Sequence, residues 1–331
     1  MKTFWQKLNK PFFVLAPMAD VTDCAFRSVI TKYGKPDVFW TEFVSADGLA
    51  HKDAREKLLI DLRYGKNEHP IVAQIFGGKP QNIKEATKLC AELGFDGVDI
   101  NMGCPDRAIE KQCAGCGMIK NSELAGKIIL SAKKGVMSAG SNIPISVKTR
   151  LGYNKIDEEW IKFLLKQDIA MLAVHLRTRK EMSKVPAHWD YMKRIVEIRD
   201  EMGVNTLIVG NGDVIDLADA KEKSKESGCD GVMLGRAIFG NPWLFSGAGQ
   251  KSVEEKLKVM IEHTKLFEKM LSSPEGGKNF AIMKKHYKAY VNGFDGAKEL
   301  RMRLMEAKNA KGVEKIVNNF LSTLKNHDFR V

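Results

Sequence analysis

The sequence predicts an α/β protein: a (β/α)8 barrel of the TIM type followed by a small all-helical C-terminal domain. Three observations predict it. From residue 12 to about 235, short apolar, β-branched runs alternate with longer helical patterns, which implies parallel strands joined by helical crossovers. Eight such units fit this length, and a barrel accommodates them better than a doubly wound sheet. At one end of every strand the residues turn polar or turn-forming, as they do at the C-terminal mouth where this barrel carries its active site.

Taken in order, the strand candidates are Phe12–Ala16, Val38–Glu42, Ile71–Phe76, Gly97–Ile100, Ile145–Thr149, Leu172–His175, Thr206–Val209 and Gly231–Leu234. Helical patterns between them cover Asp23–Tyr33, Gln81–Leu93, Ser122–Met137, Glu158–Lys166, Trp189–Met202 and Asp216–Ser227. The residues expected at the strand ends are Met18, Glu42, Gln74, Asn101, Lys148, His175, Asn211 and Gly235. Asn241-Pro242-Trp243 closes the pattern, and Ser246–Gly249 reads as a linker. Ser252-Val253-Glu254-Glu255 is a capping-box signature that opens a helix. Helices follow at about 253–271, 279–292, 296–308 and 312–325, broken at Pro274/Gly276-Gly277, Gly293 and Gly312. The expected division is a catalytic barrel at 1–245 and a helical bundle at 252–331.

Composition sets outer limits. With 44% apolar and 28% charged residues the chain belongs with ordinary globular proteins. Its net charge is +12, and residues 251–331 carry 17 Lys/Arg against 10 Asp/Glu, an excess of +7. Such an excess suits a polyanionic partner, although a merely basic enzyme would carry it too. Six cysteines in a chain this long suit reduced thiols in a cytoplasmic protein rather than a disulfide scaffold. The run Phe12–Ala16 after Lys7 and Lys10 is too short for a signal peptide, and no run approaches the roughly 20 residues of a membrane span.

The chemistry gathers at the predicted mouth. Gly210-Asn211-Gly212-Asp213 and Gly235-Arg236 follow strands seven and eight, where this fold commonly binds phosphate. Glycines let backbone N–H groups approach an anion, and Arg236 offers a forked cation. Gln74, Lys148 and His175 would project above that site. An amide, a cation and an imidazole together suit a flat heterocycle that becomes anionic on reduction, a flavin mononucleotide. Cys104, in Asn101-Met102-Gly103-Cys104-Pro105, stands just past strand four. An unperturbed thiol, pKa about 8.5, is protonated at neutral pH and can quench the carbanion that hydride addition to a C=C bond creates. Cys113 and Cys116 form a C-x-x-C pair, but without a second pair they do not make a structural zinc site, and no metal is expected. Met283–Tyr290 is a basic helix with Lys284, Lys285 and Lys288, suited to RNA phosphates or simply to solvent.

These residues resemble the tRNA-dihydrouridine synthases, flavoenzymes that reduce the uracil C5=C6 bond in tRNA. The matching segments are Ala16–Asp23 with Phe26-Arg27, Thr41-Glu42, Gln74–Gly77, Asn101–Pro105, Lys148–Gly152, His175 with Arg177–Arg179, Asn211–Asp213 and Gly235-Arg236. They run in order through the whole barrel, and Lys285-His286, Tyr290, Gly293-Phe294 and Leu300-Arg301 extend the match into the helical domain. The resemblance implies that Pro17, Met18, Ala19, Gln74, Lys148, His175, Asn211, Gly212, Asp213, Gly235 and Arg236 contact FMN. It implies Cys104 as proton donor to C5, with NADPH as electron source. Asn101, Arg177 and Arg179 would face the uridine or its phosphates, and Lys284, Lys285 and Lys288 the tRNA. Two rivals differ in their consequences. A reductase of a free pyrimidine, like a dihydroorotate dehydrogenase, would act on small molecules without residues 251–331. A tRNA-binding protein without redox turnover would hold no flavin. No membrane and no obligatory protein partner are expected.

Overall fold

The computed structural model describes residues 3–272 and 277–328. Eight strands form: β1 Phe12–Leu15, β2 Phe39–Ser45, β3 Ile71–Phe76, β4 Gly97–Met102, β5 Ile145–Arg150, β6 Met171–His175, β7 Leu207–Asn211 and β8 Gly231–Leu234. All pair in parallel, each with its sequence neighbour from β2 to β8, and β8 returns to β1. The ring closes where Val38, just before β2, bridges Val14. There the Leu15 N–H donates to the Val38 carbonyl at 3.4 Å and the Asp37 N–H to the Phe13 carbonyl at 2.9 Å. The barrel is the architecture the sequence predicts.

The helices are α1 Cys24–Tyr33, α2 Ala46–Ala50, α3 Lys52–Leu58, α4 Pro80–Glu92, α5 Arg107–Glu110, α6 Ser122–Ser138, α7 Glu158–Leu165, α8 Met192–Glu201 and α9 Leu217–Ser227, then α10 Val253–Leu271, α11 Met283–Tyr290, α12 Ala297–Glu306 and α13 Ala310–Asp328. Most helices after a strand start on a side-chain cap: Asn121 accepts from the Leu124 N–H at 3.0 Å, Asp157 from Trp160 at 3.1 Å and Asp216 from Asp219 at 2.8 Å. The sequence pattern missed α2 and α3, where the apolar period is too short to register. Of the break expected at Pro274/Gly276-Gly277, Pro274 and Gly276 lie outside the described residues.

Inside the barrel the period-two alternation of a strand sorts side chains between core and helices. Phe12, Val14, Ala16, Val38, Trp40, Val72, Met171, Ala173, Val209 and Met233 form one buried cluster, which Trp5 joins from the short 3-10 helix Phe4–Lys7. The opposite face meets the helices, as where the Trp160 indole N–H of α7 donates to the Thr149 hydroxyl at 2.9 Å.

The chain divides into compact units differently from the expected cut between 245 and 252. One unit is Met1–Thr22 with Pro36–Arg236; the other is Asp23–Lys35 with Ala237–Val331. Thus α1, although it lies between β1 and β2 in sequence, packs on α10 in the helical unit. Its apolar face makes the difference: Phe26, Val29 and Ile30 are wholly buried, and Phe26 stacks on His263 of α10 at 4.7 Å. The capping box forms as expected, with the Glu255 N–H donating to the Ser252 hydroxyl at 3.2 Å and the Ser252 N–H to the Glu255 carboxylate at 2.9 Å. No helix among the described residues is long and apolar enough to cross a membrane.

Candidate active site

Climbing each strand, the inward residues change character. Val14 gives way to Ala16, Trp40 to Glu42, Val72 to Gln74, Ala173 to His175 and Val209 to Asn211, while β4 and β5 contribute Asp99, Asn101, Ser146 and Lys148. Register sets Gln74, Asp99 and Ser146 side by side on β3, β4 and β5, and Asn101 beside Lys148 one step higher. An apolar plug is therefore capped by a polar layer at the C-terminal end of the strands, which is where this fold builds sites.

Above that layer opens a cavity of about 250 Å3 lined by Ala16, Pro17, Met18, Lys148, His175, Ser183, Asn211, Gly212, Asp213, Val214, Met233, Gly235 and Arg236. Gly212 (φ 128°) and Asp213 (φ 51°) turn the chain tightly after β7. A Cβ at Gly212 would come within 2.9 Å of the Ala187 Cβ, so the residue must stay small. The Asp213 carboxylate ties the rim together, accepting from Arg177, from Arg236 at 2.5 Å and from the Ala187 N–H at 2.9 Å. Two buried polar atoms here have no protein partner: His175 Nδ1 and Arg177 Nη1. A buried polar atom without a partner is costly, and beside a cavity it is a contact waiting for a ligand. A larger cavity of about 510 Å3 lies at the N-terminal ends of the strands, lined by residues such as Thr3, Pro144 and Asn205; it has no such cluster of cations and glycines.

The electrostatics are graded. Burial lowers the Lys148 ammonium to about 8, helped by the Arg150 charge and opposed by Asp99. Burial, then the charges of Lys148, Arg150, Arg177 and Arg236, hold the His175 imidazole well below its usual range, so it is neutral. Burial pushes the Cys104 thiol up, against a backbone hydrogen bond from Asp106 and the charges of Arg150 and Lys148. Cys104 therefore carries its proton at neutral pH, as an acid must.

Cys104 does not itself line the cavity; it stands two residues past β4 on a loop held from several sides. The Asn101 Oδ1 accepts from the Gly103 N–H at 3.1 Å and the Cys104 N–H at 2.9 Å. Arg150 Nε donates to the Gly103 carbonyl at 2.9 Å, and the Cys116 N–H to the Cys104 carbonyl at 2.9 Å. Further along the loop, Arg179 grips Glu110 of α5 through two bonds of 2.6 and 2.9 Å.

Several predicted site residues sit differently from expectation. Of the eleven residues assigned to the cofactor, nine line the cavity; Ala19 is exposed and Gln74 lies below it. Gln74 does not end β3: the strand runs two residues further, and its side chain is wholly buried with both amide ends engaged by Asp99 and Asn101. Asn101 is likewise committed, to Gln74 and to the Cys104 loop, rather than facing outward. Arg177 is 2% exposed and bonded to Asp213 and to the Val185 carbonyl, so it stands behind the cavity lining, its Nη1 3.7 Å from where a Cβ on Gly212 would lie, and does not face outward. Arg179 is a latch on Glu110. On α11, Lys284 is half-buried while Lys285 and Lys288 are exposed, but His286, Tyr287 and Tyr290 between them point into the helical core. Cys113 is exposed and Cys116 buried, its thiol pushed up to about 12 by burial. No group of three or more metal-ligating side chains occurs among the described residues. Asp99, Arg150 and Ser183 were missed. Asp99 carried a signal, a carboxylate inside an apolar strand, whereas Ser183 sits in a loop that sequence alone does not aim.

Comparison with known proteins adds an independent measure. Residues 14–326 match the family model described as dihydrouridine synthase. A probable tRNA-dihydrouridine synthase 2 of Bacillus subtilis is 42% identical over 322 residues, 96% of this chain and 97% of that protein. A probable tRNA-dihydrouridine synthase of Staphylococcus aureus is 40% identical, covering 96% of each. Among solved structures, morphinone reductase superposes with a TM-score of 0.52 at 12% identity, covering 75% of this chain and 89% of its own. A 2-naphthoyl-CoA reductase gives 0.54 at 11% identity, covering 71% and 49%. At such identities these last two speak for the fold alone.

Proposed function

The chain belongs to the dihydrouridine synthase family, and from that premise we propose that it reduces the C5=C6 bond of uridines in tRNA, with Cys104 delivering the proton to C5. The observation that carries this reading is the Cys104 thiol, half-buried and protonated on the loop that follows β4, next to the strand β5 that sends Lys148 into the cavity.

The residues present fit a flavin mononucleotide. His175, which lines the cavity, and Arg177, packed behind Gly212, each keep an unpartnered buried nitrogen, and Gly212 and Gly235 in the lining permit close backbone approach. Arg236, which is mostly exposed, and the turn at Gly212-Asp213 would hold the phosphate; Lys148, Pro17 and Met18 would hold the ring system. Such a flavin, reduced by NADPH, would supply the hydride. Lys148 keeps a positive charge at neutral pH to offset the negative charge that accumulates on reduction. Neutral His175 donates a hydrogen bond without competing for that charge. Cys104 gives up its proton as the carbanion forms, and the nearby Arg150 and Lys148 stabilise the thiolate left behind. A stacked uracil cannot reach this depth, so the target nucleotide must leave the helix stack. Lys285 and Lys288 on α11 are suited to meeting the tRNA backbone. A cytoplasmic location follows from that substrate.

The test is to map dihydrouridine in tRNA from cells lacking this protein, then restore either the wild type or Cys104→Ala. One or more positions should revert to uridine and be restored by the wild type only. Loss of no dihydrouridine, or full restoration by Cys104→Ala, would contradict the reading.

A further inference from the structure

Beneath Cys104 runs a buried chain of hydrogen bonds with a fixed direction. The Ser146 hydroxyl donates to Asp99 Oδ1 at 2.6 Å and Gln74 Nε2 to Asp99 Oδ2 at 2.6 Å. Asn101 Nδ2 donates to Gln74 Oε1 at 2.9 Å, and Asn101 Oδ1 accepts from the Cys104 N–H at 2.9 Å. Asp99, Gln74 and Asn101 are all buried, Asp99 and Gln74 completely.

We propose that Asp99 is a positioning residue: its carboxylate threads the two amides one way and so fixes the backbone that carries the Cys104 thiol. The two ends of the chain leave no alternative. A carboxylate only accepts, and a backbone N–H only donates. Between them, Gln74 must turn its nitrogen down to Asp99 and its oxygen up to Asn101, and Asn101 must repeat the arrangement toward Cys104. A flipped amide at either position would set donor against donor, or acceptor against acceptor, between side chains that are buried. Register makes this possible, because Asp99 lies directly between Gln74 of β3 and Ser146 of β5. Burial raises the Asp99 carboxyl to about 6, opposed by the bonds from Ser146 and Gln74 and by the Lys148 charge, and Trp40 of β2 also faces it. The carboxylate is therefore ionised, and acceptor-only, at neutral pH.

The purpose assigned to the loop rests on the proposed function, but the chain itself is tested without turnover. Amide hydrogen exchange at Gly103 and Cys104 is compared in the full-length wild type, Asp99→Leu, Asp99→Asn and Gln74→Met. Asn keeps an acceptor for Gln74, while the Ser146 hydroxyl can turn to accept from its NH2 group; Leu offers nothing. Asp99→Leu and Gln74→Met should each speed exchange at 103–104 about tenfold, with β1 and β8 unchanged, and Asp99→Asn should stay within about twofold of wild type. Should Asp99→Leu fail to fold, Gln74→Met decides, since it leaves Asp99 its partner Ser146. Unchanged exchange at 103–104 in Gln74→Met, or an equal loss throughout the barrel, would overturn the proposal. On tRNA, Gln74→Met should lower kcat about tenfold with KM unmoved, as expected of a misplaced acid. An inactive wild type would count against the functional reading and leave the exchange result standing.

Discussion

The barrel mouth and the helical core both bury polar groups, and they treat them in opposite ways. Beneath the mouth, Asp99, Gln74, Asn101 and Ser146 satisfy one another, and the polar atoms left over belong to His175, which lines a cavity, and to Arg177, which packs behind the cavity residue Gly212. In the helical core, His263 and His286 leave all four ring nitrogens unpartnered. Their rings meet at 4.6 Å among Phe26, Phe239 and Tyr290, and none of these residues touches the mouth cavity. Burial holds both imidazoles below their usual range, His286 at about 3. They serve as aromatic packing and remain neutral. An unpartnered buried nitrogen thus points to a ligand only where there is room for one.

The sharpest way to break this contrast is to remove a polar group from each region. Lys148→Met should cut kcat/KM for uridine reduction about 10²–10³-fold, whereas His263→Phe should leave it within about twofold. Because the Lys148 ammonium titrates at about 8, wild-type kcat/KM should fall as pH rises past that value, and the variant should lack this limb. A wild-type profile flat to high pH would remove Lys148 from its role.

Acid tests the other region. The two helical-core imidazoles bind protons more readily unfolded than folded. Their contribution is complete above the unfolded pKa of about 6.5 and is lost as pH falls toward the folded value. Each should cost about 1.4 kcal/mol per pH unit in that window, seen as a falling midpoint in urea. A variant combining His263→Phe with His286→Leu should flatten the dependence.

Ligand addition gives the next largest effect. FMN at about a hundred times its Kd should stabilise the protein by about 2.7 kcal/mol. Arg236→Met should shrink the accompanying rise in Tm, and His286→Leu should not. The smallest difference lies between two hydroxyls. Ser146→Ala, which strips Asp99 of a partner, should destabilise by about 1–3 kcal/mol. Tyr290→Phe removes a hydroxyl that has none, and should change stability by less than about 1 kcal/mol.

Much of the barrel was legible because parallel strands buried on both faces leave dense β-branched runs; β3 and β8 fall on the expected residues, and the others shift at their ends. The nine cavity residues were legible because glycines and lone polar residues interrupt those runs. Gln74 was misplaced for the same reason: a polar residue inside a strand looks like its end, unless a neighbouring strand is known to supply Asp99. Arg177 and Arg179 read as contacts for an anion because their partners, Asp213 and Glu110, lie 36 and 69 residues away. The membership of α1 was invisible, since amphipathic periodicity shows that a face is buried and not what buries it.

That helix carries a further consequence. The chain leaves the barrel after Thr22, donates one helix to the other unit and returns at Pro36. The helical unit is therefore no detachable cassette at the C-terminus: truncation at residue 251 would strand Phe26, Val29 and Ile30 without the helices that cover them. Gene fusions and domain exchanges within this architecture must carry residues 23–35 along with the C-terminal helices, as one inseparable piece split in sequence.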